Sequence, residues 1–329
     1  MKQFTHTYHN IISLENLLAA WREFSSGKKQ RTDVQVFGFK LMDNLLALYA
    51  DLRGGNYRHG PYQEFKINDP KPRLIHKATV RDRVVHRAIY CQLYWFFHQR
   101  FINDSFSCRK WKGTHKALNR LRGLAYQASH NHTRTLWVLK CDIKKFFASV
   151  NHVILFTLLT QVISDQNLLN LLQKIIQSFP TGLPLGNLTS QLLANVYLNE
   201  LDQFIKQDLK AKFYIRYADD FVLLHHDRNE LLVCLPKIQT FLQTHLKLNL
   251  HPNKVFIKTL ASGVDFLGWI HFPDHRVLRT TTERRMLAKV KAKPEPAVIN
   301  SYLGLLGWGN SARLKARIIN LAPSLSSTA

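Results

Sequence analysis

The sequence predicts an α+β fold on three observations. Short β-rich runs come in pairs split by turn residues, the pattern of antiparallel hairpins. The clearest is Phe213-Tyr-Ile-Arg-Tyr-Ala-Asp-Asp-Phe-Val-Leu-Leu-His225, with Asp219 and Asp220 at its bend. A further β-rich run, Thr135 to Cys141, puts Asp142 at the end of a strand expected to be central. Longer segments with apolar residues at helical spacing separate these strands.

Residues 11–24 have helical spacing, and Ser13, three before Asn16, is a candidate cap. Ser25 to Arg31 is a basic loop, either solvated or touching phosphate. A second helix is expected over about 35–52, stopped by Gly54-Gly55. Tyr62 to Ile75 alternates, turns at Asn68-Asp69-Pro70 and resumes, which predicts a hairpin with Lys71 and Arg73 near its tip. Such a tip either clamps a triphosphate or is simply solvated.

Thr79 opens the next helix, with Asp82 at the capping-box position and Arg81, Arg83 and Arg87 giving it a basic face. Another helix starts after Gly113. Just before it, Arg109, Lys110 and Lys112 are interleaved with Trp111. That pattern suits backbone contacts plus stacking on a strand of nucleic acid.

Residues 152–179 are helical and apolar. Thr181-Gly-Leu-Pro-Leu185-Gly186-Asn is a tight loop, and Thr189-Ser190 begins the helix that follows. It is either an ordinary loop–helix junction or a place where a flat ligand approaches the backbone. After the Asp219-Asp220 hairpin come a helix over 228–246, a turn at Leu248 to Lys254, and a strand pair in Val264 to Phe272 bent at Gly268. The tail from about 276 is helical and basic, with Pro294-Glu-Pro296 separating two of its helices.

The 329 residues carry 46 Lys and Arg against 22 Asp and Glu, a net charge of +24. That excess points to a polyanionic partner, most simply nucleic acid. No uninterrupted apolar run is long enough to span a bilayer, so no membrane partner is expected. The N-terminus lacks the apolar core of a signal peptide, and the expected compartment is the cytoplasm. Cys91, Cys108, Cys141 and Cys234 form no CxxC pair, and no Cys/His cluster has zinc-ligand spacing.

Two adjacent carboxylates at a tight bend repel each other unless a cation binds between them. A hard divalent ion such as Mg²⁺ suits them; a solvated acidic turn is the alternative. If the Asp142 strand neighbours the hairpin, three carboxylates converge. Two ions about 4 Å apart would then activate an attacking oxygen and stabilise a leaving one.

Taken together, the motifs resemble the reverse transcriptase family along nearly the whole chain. The Lys71/Arg73 hairpin resembles its fingers motif, and Lys140-Cys-Asp142-Ile-Lys-Lys-Phe-Phe147 its first palm motif. Leu185-Gly-Asn-Leu-Thr-Ser-Gln191 sits where the template-and-primer loop belongs. Tyr217-Ala-Asp-Asp220 is similar to the signature box, and Leu248 to Lys254 and Phe266-Leu-Gly-Trp269 to the two motifs after it. The resemblance implies a right-hand polymerase with fingers, a palm (an antiparallel sheet backed by helices) and a short helical thumb. Its expected segments are an N-terminal extension and fingers over 1–135, palm over 136–151, fingers helices over 152–183, palm over 184–272 and thumb over 273–329.

By the same resemblance, Asp142, Asp219 and Asp220 are catalytic. With Ile143 they are the expected positions for two Mg²⁺, Asp220 contacting metal less directly. The primer 3′-hydroxyl attacks the α-phosphate of a dNTP. Arg73 and Lys71 hold the triphosphate, guanidinium pairing bidentately with phosphate oxygens, and Lys254 neutralises or protonates the leaving pyrophosphate. Phe147 is expected as a steric gate against a ribose 2′-hydroxyl, or else a core residue, for which Phe146 is the better candidate. Leu185, Gly186 and Gln191 lie at the nucleotide. Arg109, Lys110, Trp111, Lys112, Gly268 and Trp269 are expected along the nucleic acid.

Many bacterial relatives, such as group II intron enzymes, have Gln-Gly-x-x-x-Ser-Pro in the loop. Here it reads Leu185-Gly186-x-x-x-Ser190-Gln191, which looks like reverse transcriptases of diversity-generating retroelements, as does the tail from Ser301 to Ser311. That resemblance implies error-prone copying at template adenines to diversify a target gene. It also implies a structured template RNA, an RNA/cDNA duplex and a small basic oligomeric accessory protein in a bacterial or phage-encoded system. Two alternatives stand: an intron or retron enzyme, or a non-catalytic RNA-binding defence protein on the same fold.

Overall fold

The computed structural model describes residues 3–68 and 72–321. Helices α1 (Tyr8–Ile12), α2 (Leu14–Ser25), α3 (Thr32–Phe39) and α4 (Leu41–Arg53) precede the hairpin β1 (Gln63–Ile67) and β2 (Arg73–Lys77) and the long helix α5 (Val80–His98). Then come α6 (Thr114–Ala128), strand β3 (Trp137–Asp142), and helices α7 (Phe146–Ser149), α8 (His152–Thr160), α9 (Gln166–Gln177) and α10 (Leu188–Gln203). Strands β4 (Phe213–Tyr217) and β5 (Asp220–His225), helix α11 (Arg228–His245) and strand β6 (Phe256–Thr259) follow. Strands β7 (Val264–Phe266), β8 (Trp269–His271) and β9 (Arg276–Leu278) and helices α12 (Thr280–Ala292), α13 (Pro296–Leu306) and α14 (Ala312–Asn320) complete it. Among the described residues no helix is long and apolar enough to cross a membrane.

The chain forms two compact units. The first comprises Met1–Asn103, Ile143–Asp208 and Ile238–Leu250. Its α5 packs on α2 and α10. Two caps start helices as the sequence suggests: Ser13 Oγ accepts from Asn16 N, and Thr79 Oγ1 from Asp82 N. The Asp82 carboxylate reaches back to the Thr79 hydroxyl at 2.5 Å and also accepts from Tyr57 Oη at 2.8 Å and Gly60 N at 3.1 Å. It thereby ties the loop before the hairpin to α5.

The single helix expected over 35–52 is two helices, broken at Lys40, where ψ is +47°. Gly38 is a weak helix former packed under the Trp21 ring, and Asn44 Nδ2 caps the Phe37 carbonyl at 2.9 Å. The basic face of α5 is spent inside this unit. Arg81 pairs with Asp51 at 2.5 Å, Arg83 with Asp33 at 2.5 Å and Arg87 with Glu23 at 3.4 Å.

The second unit comprises Asp104–Asp142, Leu209–Lys237 and His251–Ala329. Its main sheet has the order β4-β5-β3-β6, antiparallel throughout, so β3 is interior. Helix α6 packs on β4 and β5 over a core that includes Leu118, Leu121, Val138, Ile215 and Val222. A second sheet, β7-β8-β9, bends at Leu267-Gly268, both in the positive-φ region. Trp269 joins the core with Leu306 and Ile318. A Cβ on Gly309 would come within 2.1 Å of the Trp269 ring, so only glycine fits there.

Candidate active site

In the antiparallel register of β3 and β5, Asp142 is directly opposite Asp220. Cross-strand partners project to the same face, so the two carboxylates face together. Asp219 lies beside them in the two-residue turn that joins Tyr217 to Asp220, where Ala218 takes a φ of +53°. The fully buried Arg216 donates from Nη1 to the Ala218 carbonyl at 3.2 Å, holding that turn from behind.

Each of the paired carboxylates has a lysine. Lys254 Nζ donates to Asp142 Oδ1 at 2.8 Å. The turn before it is docked on the strand end by His251 N, which donates to Asp142 O at 2.7 Å. Lys140 Nζ is 3.2 Å from Asp220 Oδ1. The period of two along a strand puts Lys140 on the face of Asp142, but only the pairing with β5 brings it to Asp220. Burial pushes the Asp220 carboxyl up to about 7; the Lys140 charge opposes this, and Asp142 and Asp219 add to it.

The donor set suits a hard divalent cation. The oxygens are carboxylate, they repel one another, and Asp220 Oδ1 is a buried acceptor with no well-aligned hydrogen bond among the described residues. The same residues contain no group of three or more acidic, His or Cys side chains at ligand spacing. The register makes Asp220, rather than Asp219, the cross-strand neighbour of Asp142. A carboxylate set at adjoining strand ends is the chemistry of cation-assisted phosphoryl transfer.

The other positions expected at the nucleotide fall in the first unit. Arg73 is exposed at the start of β2, opposite Ile67; Lys71 lies outside the described residues. The hairpin is docked on the Leu185 loop: His76 N donates to Leu185 O at 2.8 Å, and Asn187 Nδ2 to His76 O at 3.0 Å. Gly186, with φ +108°, permits this, since a Cβ would sit 2.7 Å from Ile75 Cγ2. Gln191 is half-buried on the first turns of α10. Ile143 is buried and bridges Leu250. Of the aromatic pair, Phe146 is buried and Phe147 partly exposed. Leu183 N donates to the Phe147 carbonyl at 2.7 Å.

Two expected nucleic-acid contacts are corrected. Arg109 is buried and donates from Nη1 to Ser105 O at 2.9 Å and Ser105 Oγ at 2.7 Å, so its charge organises its own loop. Trp269 is 1% exposed and offers no stacking face. Gly268 remains at the surface of its turn, and its carbonyl accepts from Arg279 N at 3.1 Å. Trp111 is 70% exposed, Lys110 is exposed, and Lys112 lies 4.9 Å over the Phe106 ring.

Residues 66–271, more than half of the chain, match the family model described as reverse transcriptase (RNA-dependent DNA polymerase). The chain belongs to this family, and its activity is RNA-directed DNA polymerisation, a reaction for which the family uses divalent metal ions. It is 24% identical to Protein YkfC of Escherichia coli K12, covering 85% of this chain and 83% of that one. It is 23% identical to the group II intron-encoded protein LtrA of Lactococcus lactis, covering 88% of this chain but only 59% of LtrA. The retron Ec73 reverse transcriptase of Escherichia coli is 28% identical over 46% of this chain and 54% of its own length. Apo telomerase from Candida tropicalis has a similar structure, with a TM-score of 0.51, 10% identity, and coverage of 72% of this chain and 60% of that one. The architecture is that of a right-hand polymerase.

Proposed function

We propose that this reverse transcriptase serves a diversity-generating retroelement, copying a template RNA with errors at template adenines so that a target gene is varied. The observation that carries this is the loop Leu185-Gly186-Asn-Leu-Thr-Ser190-Gln191. An aliphatic side chain stands first, half-buried, on a loop docked to the hairpin that carries Arg73. Leucine supplies bulk without hydrogen bonds, which loosens the check on the templating pair.

Asp142, Asp219 and Asp220, with the backbone at Ile143, would hold two Mg²⁺, which supply charge stabilisation at the α-phosphate. The chain's own residues do the rest. Lys71 and Arg73 bind the triphosphate, Gly186 and Gln191 border the nucleotide, and Phe147 excludes a 2′-hydroxyl. Lys254, which donates to Asp142, neutralises or protonates the leaving pyrophosphate. Lys110, Trp111, Lys112 and Gly268 follow the duplex, and the net charge of +24 favours that path. Fingers are assigned to 1–135 and 152–183, palm to 136–151 and 184–272, and thumb to 273–329. The partners are template RNA, RNA/cDNA duplex and a small basic oligomeric accessory protein, in the cytoplasm of a bacterial host.

A second reading, an intron or retron enzyme, is favoured by the relatives' names. Sequencing cDNA made by wild type and Leu185→Gln decides between them. Adenine-directed errors that fall in the variant support the first reading; equal errors at all four template bases in both proteins support the second.

A further inference from the structure

The first unit contains a line of buried polar side chains that the chemistry above does not use. His86 of α5 is 2% exposed, and the His59 side chain is equally enclosed. Their Nε2 atoms are 3.0 Å apart. At one end, His86 Nδ1 meets Thr189 Oγ1, a hydroxyl 2% exposed in the first turn of α10. At the other, His59 Nδ1 is 2.7 Å from Gly60 O.

With both imidazoles neutral, proton placement along this line follows from its ends. A neutral imidazole has one donor and one acceptor nitrogen. Gly60 O only accepts, so His59 carries its hydrogen on Nδ1 and accepts at Nε2. His86 then donates from Nε2 and accepts at Nδ1, and the Thr189 hydroxyl donates to it. Burial pushes the His86 pKa down to about 3, against the opposing charge of Asp82, so the ring stays neutral. The far end is anchored by Asp82, which accepts from Gly60 N, Tyr57 Oη and, at 2.5 Å, Thr79 Oγ1. The N-cap of α5 and the first turn of α10 are thus joined through Asp82, Gly60, His59 and His86, drawn from two segments of the chain.

We propose that His86 is a positioning residue for template reading: through Thr189 it fixes the start of α10, and with it the loop from Leu185 to Gln191. The proposal rests on the assignment of that loop to the templating pair. The hydroxyl meets a ring that is itself held by His59, and so ties the helix start to α5. Leu185 is four residues before Thr189 and Gln191 two after, so slack at Thr189 is passed to both. His86 is enclosed, with His59 and Thr189 as its ring partners, so its loss should reach nucleotide selection and spare phosphoryl transfer.

The test uses the full chain on an RNA template, comparing wild type, His86→Leu, His86→Gln and Thr189→Val. Glutamine carries one acceptor and one donor, and so can bridge Thr189 and His59; leucine cannot. His86→Leu and Thr189→Val should each raise the KM for dNTP about tenfold and raise misincorporation, with kcat within about threefold of wild type. His86→Gln should restore both. In ¹⁵N-histidine spectra of the wild type, one buried ring should be protonated at Nε2 alone and its neighbour at Nδ1 alone. Equal damage from leucine and glutamine, or a loss confined to kcat, overturns the proposal. Should His86→Leu fail to fold, Thr189→Val and the spectra carry the test. If Leu185→Gln changes fidelity while Thr189→Val leaves KM and errors at wild type, the positioning claim alone falls. If Leu185→Gln changes nothing while Thr189→Val still acts, the loop assignment falls instead.

Discussion

Gly186→Ala is the substitution that most directly separates docking of the Arg73 hairpin from general stability. Two penalties arise at that residue. Its φ of +108° lies outside the left-handed basin near +57° that alanine tolerates, at a cost of about 1–3 kcal/mol. The new Cβ also meets Ile75 Cγ2 at 2.7 Å, so Ile75 must move. Against these stands the alternative of undocking the hairpin, which gives up His76 N to Leu185 O and Asn187 Nδ2 to His76 O. At about 1 kcal/mol each, that is roughly 2 kcal/mol. The two routes are close in energy, so undocking caps the loss. Global stability in urea should fall by no more than about 2 kcal/mol, while the hairpin opens far more often. Hydrogen exchange at the His76 amide reads this directly and should quicken by about tenfold or more. The dNTP KM should rise with it. Ile75→Ala in the same chain relieves the contact but not the φ cost, and so restores protection only in part. Unchanged exchange at His76 in Gly186→Ala would refute the reasoning.

Two further outcomes are expected. Lys254→Met removes the partner of Asp142, yet the lysine side chain is 38% exposed. The melting cost should stay below about 1 kcal/mol, while single-turnover incorporation slows by about tenfold or more; a large stability loss with normal incorporation would reverse that assignment. His271 is 4% exposed, and burial, with the Arg276 charge adding to it, pushes its pKa down to about 4. Between that value and the unfolded value near 6.5 the unfolded chain binds the extra proton. The stability His271 leaves intact above pH 6.5 is therefore lost as pH falls towards 4, by about 1 kcal/mol at pH 5.5. Urea titrations at pH 7.5 and 5.5 should show this loss in wild type and a smaller one in His271→Gln.

What the sequence made legible was local. Ser13 and Thr79 cap helices because the side chain that accepts and the amide that donates are three residues apart. Asp142 could be placed at a strand end, and Asp219-Asp220 at a bend, from alternation and turn chemistry alone. What stayed hidden depends on register or on distant packing. The partnership of Lys140 with Asp220 needs the alignment of β3 with β5. Trp269 reads as a surface aromatic beside a flexible glycine; Gly309, forty residues on, makes the slot that buries it. Arg109 belongs to a basic cluster in sequence, but Ser105 turns it inward. The helix break at Lys40 comes two residues after Gly38, whose packing partner Trp21 lies outside any window over 35–52. His59, His86 and Thr189 are separated by 27 and 103 residues, and nothing in any one segment marks them as a set.

The central claim is that the carboxylates of β3 and the Tyr217–Asp220 turn carry RNA-directed DNA polymerisation. The most direct measurement is primer extension on an RNA template with Mg²⁺ and dNTPs, comparing wild type with Asp142→Asn and Asp219→Ala, each shown by melting to be folded. Template-dependent cDNA from the wild type and none above background from either variant is the predicted result. Equal incorporation by wild type and both variants would contradict it, as would no incorporation by any of them when template RNA and the proposed accessory protein are supplied.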